Sequence, residues 1–334
     1  MRKSFWAAGI LMCLWGAVAW AGESTKAKNV IKVGISEASK EVVFYQEAED
    51  EVMNAAKAWE HQTGRKMTFT VTVANGDVAR QASDVEDLIS KKMDIILMVP
   101  QDSKAIVASI KAAHKAGIKV MTFLRAASPA ADEKADAHVG LDTTYQAYVA
   151  GKALLEKMQK DKVNPQIIHI IGDLRDENAV NRKNGFEQAV KELGGTILIT
   201  VPTEWNNDKA LAGLSAAFQT YPQANALFVA SDALLPAVQT ACERVDRWYP
   251  YGDAKHIYHA DVDVQPNAIE PLEKGFIDVD TLWDHFVQGG AAVDTIVKLV
   301  DGVPLADKAI YVKSRIATPS NVDTMENVTS RNYK

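Results

Sequence analysis

The chain has 334 residues, 47% hydrophobic and 24% charged, with a formal net charge of −6. That length exceeds what one core usually serves, and the acidic balance excludes nucleic acid and anionic membrane as natural partners.

The chain opens with Arg2 and Lys3, an apolar run from Phe5 to Val18, and a small-x-small step at Ala19, Trp20 and Ala21. These are the parts of a secretory signal peptide, so residues 1–21 are expected to be cleaved and the mature chain to start at Gly22. About 313 residues and a charge of about −8 then remain. Cys13 lies inside the signal and follows Ile10, Leu11 and Met12, not the small residues that precede a lipid-attachment cysteine. Cys242 is then the sole cysteine of the mature chain, and packing rather than a disulfide must hold the fold. No second apolar stretch approaches spanning length, so a soluble mature protein is expected.

Short apolar runs alternate with longer amphipathic ones, the pattern of parallel strands wrapped by helices. In the first half the predicted strands are Val30 to Ile35, Phe69 to Val73, Ile95 to Val99 and Val120 to Leu124. Helical spacing covers Phe44 to His61, Val78 to Lys91 and Lys104 to Ala116, with Asp77 as a natural cap after the Asn75-Gly76 turn. The second half repeats the scheme, with strands at Ile167 to Ile171, Ile197 to Val201, Leu227 to Ala230 and Ile257 to Ala260. Its helices are Ala179 to Leu193, closed by Gly194-Gly195, then Lys209 to Thr220, Leu234 to Val245 and Asn267 to Lys274. The fold class is therefore α/β, with two doubly wound parallel-sheet lobes.

Ligands of such sheets sit beyond the carboxyl ends of the strands. Those positions hold Ser36, Gln101 with Asp102, Arg125, Asp173 with Asp176 and Asn178, Glu204 with Trp205, Ser231 with Asp232, and Asp261. Polar and aromatic groups of both halves converge if the two carboxyl edges face each other.

The stretches VTVANGDVARQASDVEDLISKKMDIILMVPQD, AGIKVMTFLR, DENAVNRKNGF, VASD, ADVD and SRIATPSNVD together resemble the type I periplasmic binding proteins of ABC transporters. Within that family the ribose- and xylose-binding branch is most similar, the xylose-binding proteins above all, over nearly the whole mature chain. The resemblance implies three hinge crossings, near Gly140 to Asp142, near His285 and near Ile310 to Lys313. The first lobe would hold residues 22–141 and 285–309, the second 142–284 and 310–334. It also implies a ligand site in which Phe44 or Tyr45 caps a sugar, Arg125, Asp176 and Asn178 bind hydroxyls, Trp205 stacks, and Asp261 accepts hydroxyl protons. Leu124, Ser231 and Asp284 depart from the family's pattern, standing where aspartate, asparagine and lysine are usual. Without the neighbouring aspartate, Arg125 is expected to take its orienting partner from Asp261 or Asp284. Trp283 is expected to be structural.

The implied activity is capture of a small polar ligand, a monosaccharide of xylose type or a related solute, with no catalysis and no cofactor. The implied partner is a membrane permease of an ABC importer. The alternative partner is a membrane sensor such as a histidine kinase, and the protein is expected in the periplasm as a monomer. No metal is expected: Asp261 and Asp263 resemble the start of a calcium loop, but Pro266 and the lack of glycine at the sixth place break the pattern. His256 and His259 straddle a strand, where residues three apart face opposite sides, which argues against zinc. No phosphate loop of the GxxxxGKS type occurs, and no serine, histidine and acid set stands out.

Overall fold

The structure, a computed structural model, describes residues 27–40 and 43–328. The expected signal peptide, residues 1–21, lies outside the described residues.

From the start the chain forms β1 (Val30–Glu37), α1 (Val43–Thr63), β2 (Lys66–Val73), α2 (Val78–Ser90), β3 (Ile95–Met98), α3 (Ile106–Lys115), β4 (Lys119–Leu124) and β5 (Ala137–Leu141). It then builds α4 (Thr143–Lys160), β6 (Gln166–Ile171), α5 (Glu177–Leu193), β7 (Thr196–Pro202), α6 (Asn207–Thr220) and β8 (Ala226–Val229). A short 3-10 turn, α7 (Leu235–Arg244), β9 (Tyr258–Ala260), α8 (Pro266–Glu273) and β10 (Asp280–Leu282) follow. The chain ends with α9 (His285–Asp301), β11 (Ala309–Val312) and β12 (Arg315–Ala317).

The first lobe is a parallel sheet in the order β11-β5-β4-β3-β1-β2. Its strands are apolar on both faces because both are covered, as all-parallel sheets require. Ile31, Val33, Ile35, Leu97 and Phe123 pack on the α1 and α9 side. Ile96, Met98 and Val120 pack on the other, with Val85, Leu88 and Ile110 from α2 and α3. Asp77 caps α2, accepting from the backbone N–H groups of Ala79 and Arg80.

The second lobe repeats this arrangement with the order β7-β6-β8-β9. Ile168 and Ile170 face α6 and α7, and Ile167, Phe186 and Phe228 pack on the α4 side. Bridges Ala260 to Val279 and Asp263 to Leu282 join the sheet to the antiparallel pair β10-β12.

The chain passes between lobes after β5, after β10 and after β11. The third passage differs from the expected boundary at residue 310: β11 pairs in parallel with β5, Val312 opposite Leu141, so those residues belong to the first sheet. The passage falls at Lys313 and Ser314, before Arg315 pairs with Leu282. An edge strand as short as AIYV carries too little pattern to show this in sequence.

Candidate functional site

The carboxyl ends of the two sheets face one another across a cavity of about 310 Å³. From the first lobe it is lined by Phe44, Tyr45, Asn75, Gln101 and Arg125, and from the second by Asp176, Asn178, Arg182, Trp205, Ser231, Asp263 and Gln265, with Trp283 at the hinge.

Phe44 and Tyr45 enter on the first turn of α1, and both line the cavity although adjacent helical positions diverge. Phe44 meets Tyr45 and Trp283 edge to face, at ring distances of 5.4 and 5.0 Å, which holds these rings without help from a ligand. Burial pushes the Tyr45 hydroxyl up to about 12, so it enters the cavity as a neutral donor and acceptor.

Arg125 follows Leu124, whose φ of 58° is unusual for a residue with a branched side chain. The Leu124 side chain is buried in the first-lobe core, so the cavity has no carboxylate there. Contrary to the expectation from the sequence, Arg125 pairs with neither Asp261 nor Asp284. Its Nε lies 3.0 Å from Asp176 Oδ2 on the opposite lobe, and its Nη1 donates to the Pro100 carbonyl at 3.3 Å. The guanidinium also lies 5.5 Å from the centre of the Tyr45 ring.

Asp176 is the N-cap of α5, its Oδ1 accepting from the Asn178 N–H at 3.0 Å. Its Oδ2 also accepts from the Trp205 indole at 3.2 Å, so one carboxylate fixes a helix start, a cation and an aromatic wall. The Asn178 side chain donates across the cleft to the Leu124 carbonyl at 3.2 Å. Trp205 lies against the backbone of Gly172, where a Cβ would fall 2.2 Å from the ring.

On the second-lobe floor Asp263 accepts from the Arg182 guanidinium, from Ser231 Oγ at 2.7 Å and from Gln146 and Gln265 at 3.4 Å. Arg182 also donates to Gln146 at 3.1 Å and to the Ala230 carbonyl at 2.7 Å.

Three candidates lie elsewhere. Ser36 is buried one layer below, its hydroxyl accepting from Gln81, which in turn bonds the Gln101 backbone at 2.8 Å. Asp261 is fully buried behind the loop, and Asp263, two residues on, reaches the cavity in its place because positive φ at Asp263 and Val264 turns the chain outward. Asp284 caps α9 through the Val287 N–H at 3.0 Å and accepts from Arg315 and Asn327, each at 3.1 Å. Capping geometry leaves it facing the hinge, not the cleft.

The cavity's cations are already matched: Arg125 with Asp176, Arg182 with Asp263, and Arg175 with Asp173 at 2.6 Å. Such a site offers oriented dipoles and aromatic faces rather than uncompensated charge.

A cleft between two doubly wound lobes, closed by aromatic walls and pre-paired polar groups, defines a two-lobed binding protein. Residues 33–304 match the periplasmic binding protein domain family, and the chain belongs to it. It is 27% identical over 259 residues to the D-ribose/D-allose-binding protein of Pseudomonas aeruginosa, covering 75% of this chain and 77% of that one. It is 24% identical over 267 residues to the xylitol-binding protein of Mycolicibacterium smegmatis, covering 78% and 72%. A solved ABC transporter solute-binding protein of Mycobacterium smegmatis with bound glycerol superposes with a TM-score of 0.76 at 25% identity, over 88% of this chain and 96% of that one.

Proposed function

We propose that this chain is an exported solute-binding protein that captures a neutral monosaccharide or a related polyol between its lobes and presents it to the permease of an ABC importer. The observation that carries this reading is the cleft's combination of aromatic faces at Trp205, Tyr45 and Phe44 with planar polar groups whose charges are matched within the protein. A polyhydroxylated ring or chain offers apolar C–H faces to the rings and alternating donors and acceptors to Arg125, Asn178, Gln101 and Gln265. A charged solute would leave an excess ion in a desolvated site, at a cost that the paired residues do not offset. The names of the ribose/allose-binding and xylitol-binding relatives support the same ligand class.

Closure follows from the contacts' division between lobes: a ligand touching both sets binds the closed form better and shifts the population toward it. The lobes would turn about the passages at Asp142, Asp284 and Lys313 to Ser314. A thermal-shift panel of aldopentoses, aldohexoses, deoxy sugars and pentitols, with amino acids and small amines alongside, tests the reading. A cognate compound at a hundred times its Kd adds about 2.7 kcal/mol of stability. Stabilisation by amines or amino acids with none from any sugar or polyol would overturn it.

A further inference from the structure

The loop that carries Asp263 and Gln265 into the cleft rests on three carboxyl groups that the ligand site does not include. Asp232, Asp261 and Asp280 are each fully buried. Asp232 Oδ2 accepts from the Gln265 N–H at 2.7 Å, Asp261 Oδ1 from the Val262 N–H at 3.1 Å, and Asp280 Oδ1 from the Val264 N–H at 3.4 Å. The intervening N–H of Asp263 goes to the Thr281 carbonyl at 2.9 Å. Of the four backbone donors from Val262 to Gln265, a segment with positive φ at two residues, three are therefore met by side chains and one by β10.

Each of these carboxyls keeps one oxygen, Asp232 Oδ1, Asp261 Oδ2 and Asp280 Oδ2, buried and outside any hydrogen bond of good geometry. Among the described residues no set of three His, Cys, Asp or Glu side chains is arranged to hold a metal ion. Other charged groups face the cluster from every side. Asp263 lies on the cleft side and Arg182 reaches it from α5. His259 of β9 places Nε2 3.4 Å from Asp261 Oδ2. Behind them Asp278 meets His256 at 3.0 Å and Lys157 of α4 at 3.6 Å. Arg182 is already held by Asp263, and three further carboxylates would be unmatched in a site without water. Burial first, then the neighbouring carboxyls, raises Asp232 and Asp280 well above the usual carboxylate range, and burial does the same to Asp261.

We propose that Asp232, Asp261 and Asp280 are positioning residues, a cradle of protonated carboxyls that holds the Asp263 to Gln265 loop in the ligand cleft, and that ionising the cradle loosens the loop and weakens binding. As neutral acids they accept the backbone N–H groups through one oxygen and place O–H protons between themselves. As carboxylates they repel one another and Asp263 above them. The sign is fixed: native carboxyls that hold protons more tightly than the unfolded chain lose their stabilising effect as pH rises.

The binding half of this proposal rests on the sugar or polyol reading above; the cradle itself does not. Two measurements on the unliganded protein therefore come first. The infrared band of protonated carboxylic acids should be present in the parent near neutral pH and smaller in Asp232→Asn and in Asp280→Asn. The denaturation midpoint of the parent should fall as pH rises above the ordinary carboxylate range, and fall less in each variant, because asparagine keeps the accepting oxygen but cannot ionise. Xylitol and D-ribose titrations then read the cleft, with parent affinity dropping about tenfold or more over the same rise in pH and the variants holding theirs more nearly constant. Absence of the acid band together with superimposable pH profiles would overturn the cradle. If no sugar or polyol of the panel above binds the parent but the first two measurements come out as stated, the cradle stands and the ligand reading fails.

Discussion

Arg125 and Asp176 meet across the cleft, Nε to Oδ2 at 3.0 Å, one from the end of β4 and the other from the cap of α5. Both are buried, so the pair is desolvated in this arrangement and would be hydrated under the proposed lobe opening. Breaking a buried pair by removing one member costs roughly 3–5 kcal/mol when the structure cannot relax. The proposed opening would let it relax.

Asp176→Ala should therefore lower the thermal midpoint of the unliganded protein only by the lost cap, about 1 kcal/mol. Its effect on binding should be much larger, since the closed form would then hold an unpaired Arg125 and a Trp205 without its indole acceptor. Titration with whichever sugar or polyol stabilises the parent should show affinity reduced by about a hundredfold or more. Retained affinity would mean that the pair does not contribute to closure.

Gly172→Ala tests the aromatic wall from behind. The added Cβ would overlap the Trp205 ring at 2.2 Å, so the ring, which lines the cavity, must shift. Glu204 and Trp205 both have positive φ, so the backbone beneath the ring is already strained and cannot absorb the shift cheaply. Overpacking of this kind costs about 1–3 kcal/mol, and affinity for a six-carbon sugar should fall more than affinity for glycerol. Equal losses for both ligands would show that the wall does not set the cavity's size.

Much of this architecture is legible because buried parallel strands read as unbroken apolar runs, as in IILM of β3 or QIIHII of β6. The strands missing from the sequence reading, β5, β10, β11 and β12, are short, and AHVGL of β5 contains a glycine. Residues just past strand ends gave Arg125, Asp176, Asn178, Trp205 and Ser231, which the fold brings together. Arg182 escaped because it lies inside α5, a full turn beyond the strand-end positions. Asp263 escaped because its entry depends on left-handed backbone at an Asp-Val pair, which residue type does not advertise. Asp284 was assigned to the ligand by alignment to a lysine position, whereas an aspartate directly before a helix is already accounted for as a cap.

That reassignment makes its own prediction. Asp284→Ala removes the α9 cap and the acceptor for Arg315 and Asn327, tying the end of the chain less firmly to the hinge. Loss of about 1–3 kcal/mol in denaturant unfolding is expected, with affinity for the cognate sugar or polyol changed by less than about threefold. A collapse of binding with unchanged stability would return Asp284 to the ligand site.

Acid should unfold the protein earlier than its carboxylates alone would dictate, through three buried histidines. His169 packs against the stacked rings of Phe186 and Phe228, at ring distances of 4.8 and 5.5 Å, with neither ring nitrogen hydrogen-bonded. Burial holds His169 and His285 at about 3 and His259 at about 4, against an ordinary value of 6.5. In the unfolded chain each takes up a proton near that ordinary value, so the unfolded state binds more protons and stability is lost as pH falls below 6.5 toward the depressed values. Each histidine then contributes a loss of about 1.4 kcal/mol per pH unit at full slope. His169→Phe keeps the ring contacts and removes the titration, so its stability should fall less steeply than the parent's between about pH 6 and about pH 4 in urea unfolding. Parallel slopes for the two proteins would show that His169 is protonated in the folded state and that its buried aromatic surroundings do not hold it neutral.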